Sequence, residues 1–169
     1  MGNESAGFYD VDGDGELEIL GGNSATGQMI WLKPFSSNGR IEWKEYTISQ
    51  NEKRGSEPYS HGLGFGDING DGRKDVIIRE GWWEAPQDPR TPNWKFHPAN
   101  LGEPAAQMYT YDFNGDGFND VLSSSAHELG IWWHKQGKDS SGNPTWKTNL
   151  IDDTYTQTHG VAFVDINSN

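Results

Sequence analysis

One nine-residue pattern, met three times, constrains this chain more than any other feature. "DVDGDGELE" begins at Asp10, "DINGDGRKD" at Asp67 and "DFNGDGFND" at Asp112. Each copy puts an acid or amide at positions 1, 3 and 5, Gly at position 6 and an acid at position 9. A partial fourth copy, "DINSN", supplies Asp165, Asn167 and Asn169. Like charges held this close repel, so the pattern requires something that offsets them. Asp, Asn and Gly are ordinary turn residues, and one copy alone would read as a turn. Three complete copies with unchanged donor chemistry point instead to a bound cation.

The donors are all oxygens. Ca²⁺ takes six to eight oxygen ligands, which a tight loop supplies from alternate side chains, one backbone carbonyl and a closing carboxylate. Gly at position 6 allows the positive φ of a sharp turn. The expected ligands are Asp10, Asp12, Asp14 and Glu18 with the Glu16 carbonyl in loop one. Loop two offers Asp67, Asn69, Asp71 and Asp75 with the Arg73 carbonyl, and loop three Asp112, Asn114, Asp116 and Asp120 with the Phe118 carbonyl. Position 7 varies freely between Glu, Arg and Phe, as expected if only its carbonyl is used. Loop one has four ligand carboxylates against three in the others, so charge alone predicts the tightest binding there. An EF-hand loop closes with Glu at position 12 between two helices. Here the closing acid stands at 9 and the flanks read as short strands, which predicts a Ca²⁺ loop bridging a β-hairpin.

The loops recur every 45 to 57 residues, roughly the length of a four-stranded propeller blade. Other landmarks keep step. "GQMIWLKP", "EGWWEAP" and "LGIWWHKQ" follow the three loops, then "WKEYTIS", "WKFHPAN" and "WKTNLID". "HGLGFGD", "QMYTYD" and "HGVAFVD" lead into the next acidic stretch. Short β-branched and aromatic runs separated by turn residues, with Gly at 22 and Trp at 8 of 169 residues, predict an all-β fold.

"FGDINGDGRKDVII" and "YDFNGDGFNDVL" resemble the FG-GAP/VCBS repeats of integrin-α-type seven-bladed propellers, and the Trp-rich "GWWEAP" and "SSAHELGIWW" resemble a bacterial VCBS subgroup. The resemblance covers nearly the whole chain. It implies four-stranded antiparallel blades near 6–49, 60–99 and 105–151, the first strand of a fourth blade at 158–164, and an acidic loop joining the innermost strand of each blade to the second. About three blades of seven imply a partial propeller over 1–169, completed by further blades of a parent chain or by oligomerisation. The family also points outside the cell or to the periplasm. Residues 1–10 carry no basic and apolar secretory signal, so that expectation takes the chain as a piece of a longer one.

Charge narrows the partners. The net charge of −12 argues against nucleic acid and anionic membranes, and no run approaches the roughly 18 apolar residues of a membrane helix. Cys is absent. Adjacent strand residues point to opposite faces, so Trp82–Trp83 and Trp132–Trp133 are expected to pack between blades, as are the recurrent Trp31, Trp43, Trp94 and Trp146. His61 and His159 both stand six residues before a loop Asp, near the mouth of the implied central channel. His127 falls in a hairpin that spacing does not place beside them. Ser123, Ser124 and Ser125 lack a nucleophile elbow. The resemblance implies an extracellular binding or adhesion module with a glycan or protein ligand. The alternative is part of a polysaccharide lyase, which needs Tyr or His with Arg or Lys. Arg40, Arg54, Arg73, Arg79 and Arg90 form no visible constellation with His, which favours binding.

Overall fold

The computed structural model describes residues 4–167, so Asn169 of the partial fourth copy lies outside the described residues. Within them the chain forms strands and no helix, in three successive units of four. Unit one is β1 (Ala6–Tyr9), β2 (Glu18–Asn23), β3 (Gln28–Ser37) and β4 (Arg40–Thr47). Unit two is β5 (Leu63–Gly66), β6 (Asp75–Ile78), β7 (Gly81–Glu84) and β8 (Lys95–Pro98). Unit three is β9 (Gln107–Tyr111), β10 (Asp120–Ser124), β11 (Leu129–Lys138) and β12 (Pro144–Thr156).

Each unit is an antiparallel meander, and each acidic loop joins its first strand to its second. These are β-propeller blades, as the repeat predicts. The inner strands of units two and three also pair with each other in parallel, Leu63 with Gln107 and Gly64 with Met108. Gly64 permits this approach, because a Cβ there would lie 2.6 Å from the Met108 carbonyl oxygen. The pairing merges the two units into one eight-stranded curled sheet.

Two cores lie on either side of unit two. Val76, Ile78, Trp83, Ala85 and Trp94 join Val11, Leu20, Met29, Trp31 and Ile48 of unit one. Ile77 and Trp82 join Met108 and Val121 of unit three, with Ile68, Leu101 and Ala105. Alternation along β6 and β7 sends successive residues to opposite cores, which is why "DVII" is buried throughout. Trp82 and Trp83 thus take the inter-blade role expected of them, and Trp31 and Trp94 are buried as well. Trp43 does not follow. It is 47% exposed, because β4 is an outer strand whose residues face mostly solvent.

The strand expected at 158–164 has no ladder partner. Side chains of β9 hold this segment instead: Tyr109 Oη donates to the Val161 carbonyl at 2.6 Å, and Val161 N–H donates to Gln107 Oε1 at 3.2 Å. Those two bonds engage Val161 without the repeated backbone exchange that makes a strand. No helix among the described residues is long and apolar enough to cross a membrane.

Candidate metal centres

The three loops share one local scaffold. The first Asp gathers N–H groups from the turn it opens. Asp10 accepts from Gly13 and Gly15 at 2.8 and 3.0 Å, Asp67 from Gly70 and Gly72 at 2.8 Å each, and Asp112 from Gly115 and Gly117 at 2.8 Å each. The acid at position 5 accepts from the N–H two residues on, in Asp14, Asp71 and Asp116 alike. Gly15, Gly72 and Gly117 have φ of 89°, 86° and 85°, the left-handed backbone that position 6 requires.

The closing acids Glu18, Asp75 and Asp120 are fully buried. Each spends part of its oxygen capacity on the scaffold. Glu18 accepts from Val11 N–H at 2.7 Å, Asp75 from Ile68 and Ala85 N–H at 3.1 and 2.8 Å, and Asp120 from Gln136 N–H and Trp133 Nε1 at 2.8 Å each. Each oxygen of Glu18 and Asp75 has a second lone pair left, whereas Asp120 Oδ2 also accepts from Asn114 Nδ2 at 3.1 Å, which leaves the free lone pair on Oδ1. Among the described residues no cation touches Asp75. Burial pushes its pKa up to about 7, against the two N–H donors, and the charges of Asp71 and Asp67 add to the rise.

Protein cations neutralise the loops unequally. At the position across from the closing acid, β3 places Lys33, β7 Glu84 and β11 Lys135, as read from the adjoining register. Lys33 Nζ reaches three expected ligands, lying 2.9 Å from Asp12, 2.5 Å from Asp14 and 3.1 Å from Glu18. Burial pulls Lys33 down, but bonds to Asp14, Asp12 and Glu18 raise its pKa well above the usual lysine value. Arg90 of unit two adds a bond to Asp12 at 2.6 Å. In loop three Lys135 pairs with Asp116 alone at 2.9 Å, and its hydrogen bond holds that carboxyl below the usual range. In loop two Arg73 pairs with Asp71 and donates to the Ala85 carbonyl.

Loop one thus sets two paired cations against four ligand carboxylates, and loops two and three each set one against three. Counted with every carboxylate ionised, each loop keeps two negative charges in excess, the number that one divalent ion offsets; in loop two burial opposes that ionised state at Asp75. The donors fit Ca²⁺, being carboxylate, amide and carbonyl oxygens throughout. In loop one the oxygens of Asp10, Asp12 and Glu18 converge within 4.8 Å of one another. Lys33 already holds two of these three residues, so the expectation of tightest binding there loses its electrostatic basis.

Loops two and three are also tied to each other. Asn119 of loop three donates to the Asp67 carbonyl at 2.6 Å. Gln136 Nε2 donates to the carbonyls of Ile68 and Asn119 at 2.8 and 2.7 Å.

A second group forms at the other end of β5. His61, His127 and His159 offer ring nitrogens within 4.8 Å of one another. Hydrogen bonds that spacing could not reveal bring His127 there. Thr158 N–H donates to the Ser125 carbonyl at 3.0 Å, Gln157 N–H to the Glu128 carbonyl at 3.1 Å, and Ser124 Oγ to the Thr158 carbonyl at 3.1 Å. Burial first, then the neighbouring His127, hold His61 below the usual histidine pKa, with Glu4 opposing. His134 is a separate case. It is fully buried between Ser123 Oγ at 2.9 Å and Thr148 Oγ1 at 3.0 Å, and desolvation lowers its pKa to about 4. Both Ser123 and His134 are closed to solvent, so the pair serves packing.

A family model described as FG-GAP-like repeat matches residues 10–78 and 112–169, more than half of the chain. None of the curated proteins compared with the chain matches it.

Proposed function

Because the chain belongs to the FG-GAP-like repeat family, we propose that it is a Ca²⁺-stabilised propeller module that serves recognition outside the cell. Bound Ca²⁺ supplies the positive charge and oxygen coordination that the loops lack. The chain's part is to hold the donors: Asp67, Asn69, Asp71 and Asp75 with the Arg73 carbonyl in loop two, and Asp112, Asn114, Asp116 and Asp120 with the Phe118 carbonyl in loop three. Loop one offers Asp10, Asp12, Asp14 and Glu18 with the Glu16 carbonyl, in competition with Lys33. The observation that carries this reading is Asp75, a fully buried carboxylate whose pKa is driven to about 7 and which no cation among the described residues touches.

Loops two and three therefore bind more tightly than loop one, reversing the order that counting carboxylates gives. Calorimetric titration with Ca²⁺ tests this. Two tighter events and one weaker event, the weaker removed by Asp14→Asn, support the order; a tightest event that Asp14→Asn removes refutes it. Millimolar extracellular Ca²⁺ suits loops of this kind.

Both ends of the three-unit array favour further blades as neighbours. On unit one, Ile19, Ile30 and Leu32 line an apolar groove with Ala6. On the far side of unit three, Tyr111 and Phe163 are exposed, their rings 5.4 Å apart. Two apolar faces at opposite ends suit continuation of the repeat, by the same chain or by a second copy. Recognition rather than lyase chemistry remains the favoured activity, with a glycan or protein as ligand. A glycan array, together with an assay for unsaturated products on uronate polymers, separates the two; product formation would overturn the preference.

A further inference from the structure

The three imidazoles at the end of β5 opposite loop two are not part of the Ca²⁺ reading. We infer that His61, His127 and His159 form a site for one Zn²⁺ ion, with an open coordination position toward the neighbouring cavities. Donor type, convergence and surroundings all point to it. Imidazole nitrogen selects borderline transition metals such as Zn²⁺ over Ca²⁺, which takes oxygen. The three residues come from separate places in the chain: the segment before β5, the β10–β11 turn and the segment after β12. Their rings meet edge-on, with centroids 4.5, 5.6 and 5.4 Å apart.

A tetrahedral ion with Zn–N bonds near 2.1 Å needs nitrogens about 3.4 Å apart. From within 4.8 Å, that takes side-chain adjustments of about 1 Å, which the exposed His127 and His159 can supply by rotation. His61 is the fixed member, its side chain only 8% exposed. The surroundings contain what such sites use. Glu4 Oε2 lies 3.1 Å from His61 Nε2, and the Gln157 carbonyl lies 3.0 Å from His159 Nδ1. A carbonyl that accepts from Nδ1 fixes the tautomer and leaves Nε2 of His159 as the metal donor.

Three protein ligands leave the fourth position open, as in catalytic rather than structural zinc sites. Two cavities meet at the cluster. One of about 180 Å³ is lined by His61 and His159 with Glu4, Tyr9 and Gln107, and one of about 240 Å³ by His61 and His127 with Arg79 and Glu80. An oxygen ligand small enough for these spaces would complete the coordination.

Zn²⁺ titration of the whole chain by calorimetry, in saturating Ca²⁺, tests the site. The expected result is one Zn²⁺ per chain, with affinity lowered tenfold or more in both His127→Ala and His159→Ala while the Ca²⁺ response of each variant stays intact. Absence of Zn²⁺ uptake, or unchanged affinity in both variants, overturns the inference. Co²⁺ added to the unsubstituted protein gives a check that needs no variant. A visible spectrum of tetrahedral, nitrogen-ligated Co²⁺ supports the site, and the spectrum of the hydrated ion refutes it.

Discussion

Loop one and loops two and three solve the same charge problem differently. All three fold the same turn, with the first Asp collecting glycine N–H groups and the closing acid buried. They diverge at position 3. Asp12 makes loop one the more acidic, and Lys33 and Arg90 answer it. Asn69 and Asn114 bring no charge; their amides donate to Asp71 and Asp120. The difference teaches that acidic residues in a motif do not measure its appetite for metal. What counts is whether a protein cation already holds the ligand oxygens, and for loop one the cations that do so lie outside the loop, on β3 and in unit two.

The largest test of this comparison is Lys33→Met. It leaves Asp12 and Glu18, whose side chains are 0% exposed, without their shared cation. Breaking a buried pair costs about 3–5 kcal/mol, and the 20% exposure of Lys33 places this one at the low end. Thermal unfolding in chelator should show that loss, and Ca²⁺ should recover more stability in the variant than in the parent. A Ca²⁺ response no larger than the parent's would mean that Lys33 does not compete for loop one.

Acid tests of the loops need His134 accounted for. Its pKa falls from 6.5 unfolded to about 4 folded. The unfolded state therefore binds the extra proton between those values, and stability is retained above pH 6.5 and lost as pH falls toward 4. That loss is on the order of 3 kcal/mol. His134→Gln should flatten the Tm–pH curve in this window. An unchanged slope would assign the acid sensitivity to the loop carboxylates.

Ca²⁺ should stabilise each occupied loop by about 2.7 kcal/mol at a hundredfold excess over Kd. Asp71→Asn and Asp116→Asn should each remove most of one such increment from the Ca²⁺-dependent Tm shift, and Asp14→Asn clearly less. Equal losses would erase the distinction between the loops. The smallest effect is expected of Asp12→Asn, which gives loop one the amide of its counterparts. Lys33 keeps Asp14 and Glu18, and Arg90, 46% exposed, loses a partner of little worth, so Tm should fall by clearly less than in Lys33→Met; an equal fall would make Asp12 the main partner of Lys33.

The turns, the strands and the inward Trp82–Trp83 pair were legible because each is written in local spacing, whereas Trp132 and Trp133 are only half-buried and join neither core. Gly15 and Glu18 announce a hairpin tip within one stretch of chain, and "DVII" announces a strand covered on both faces. What escaped depends on distant partners. Lys33 stands across a ladder from Glu18, and Arg90 reaches Asp12 from another unit. His127 meets His159 where Gln157 and Thr158 are laced to the turn that carries it. Trp43 repeats in sequence yet sits on an outer strand with no neighbour to cover it, and 158–164 has the letters of a strand without its ladder.

Val76 and Ile77 are adjacent, yet they belong to different hydrophobic interiors. The central blade is therefore a party wall. A cavity cut into one side leaves the other lining the same thin strand, so damage there would loosen two neighbours, whereas damage on an outer blade stops at one boundary.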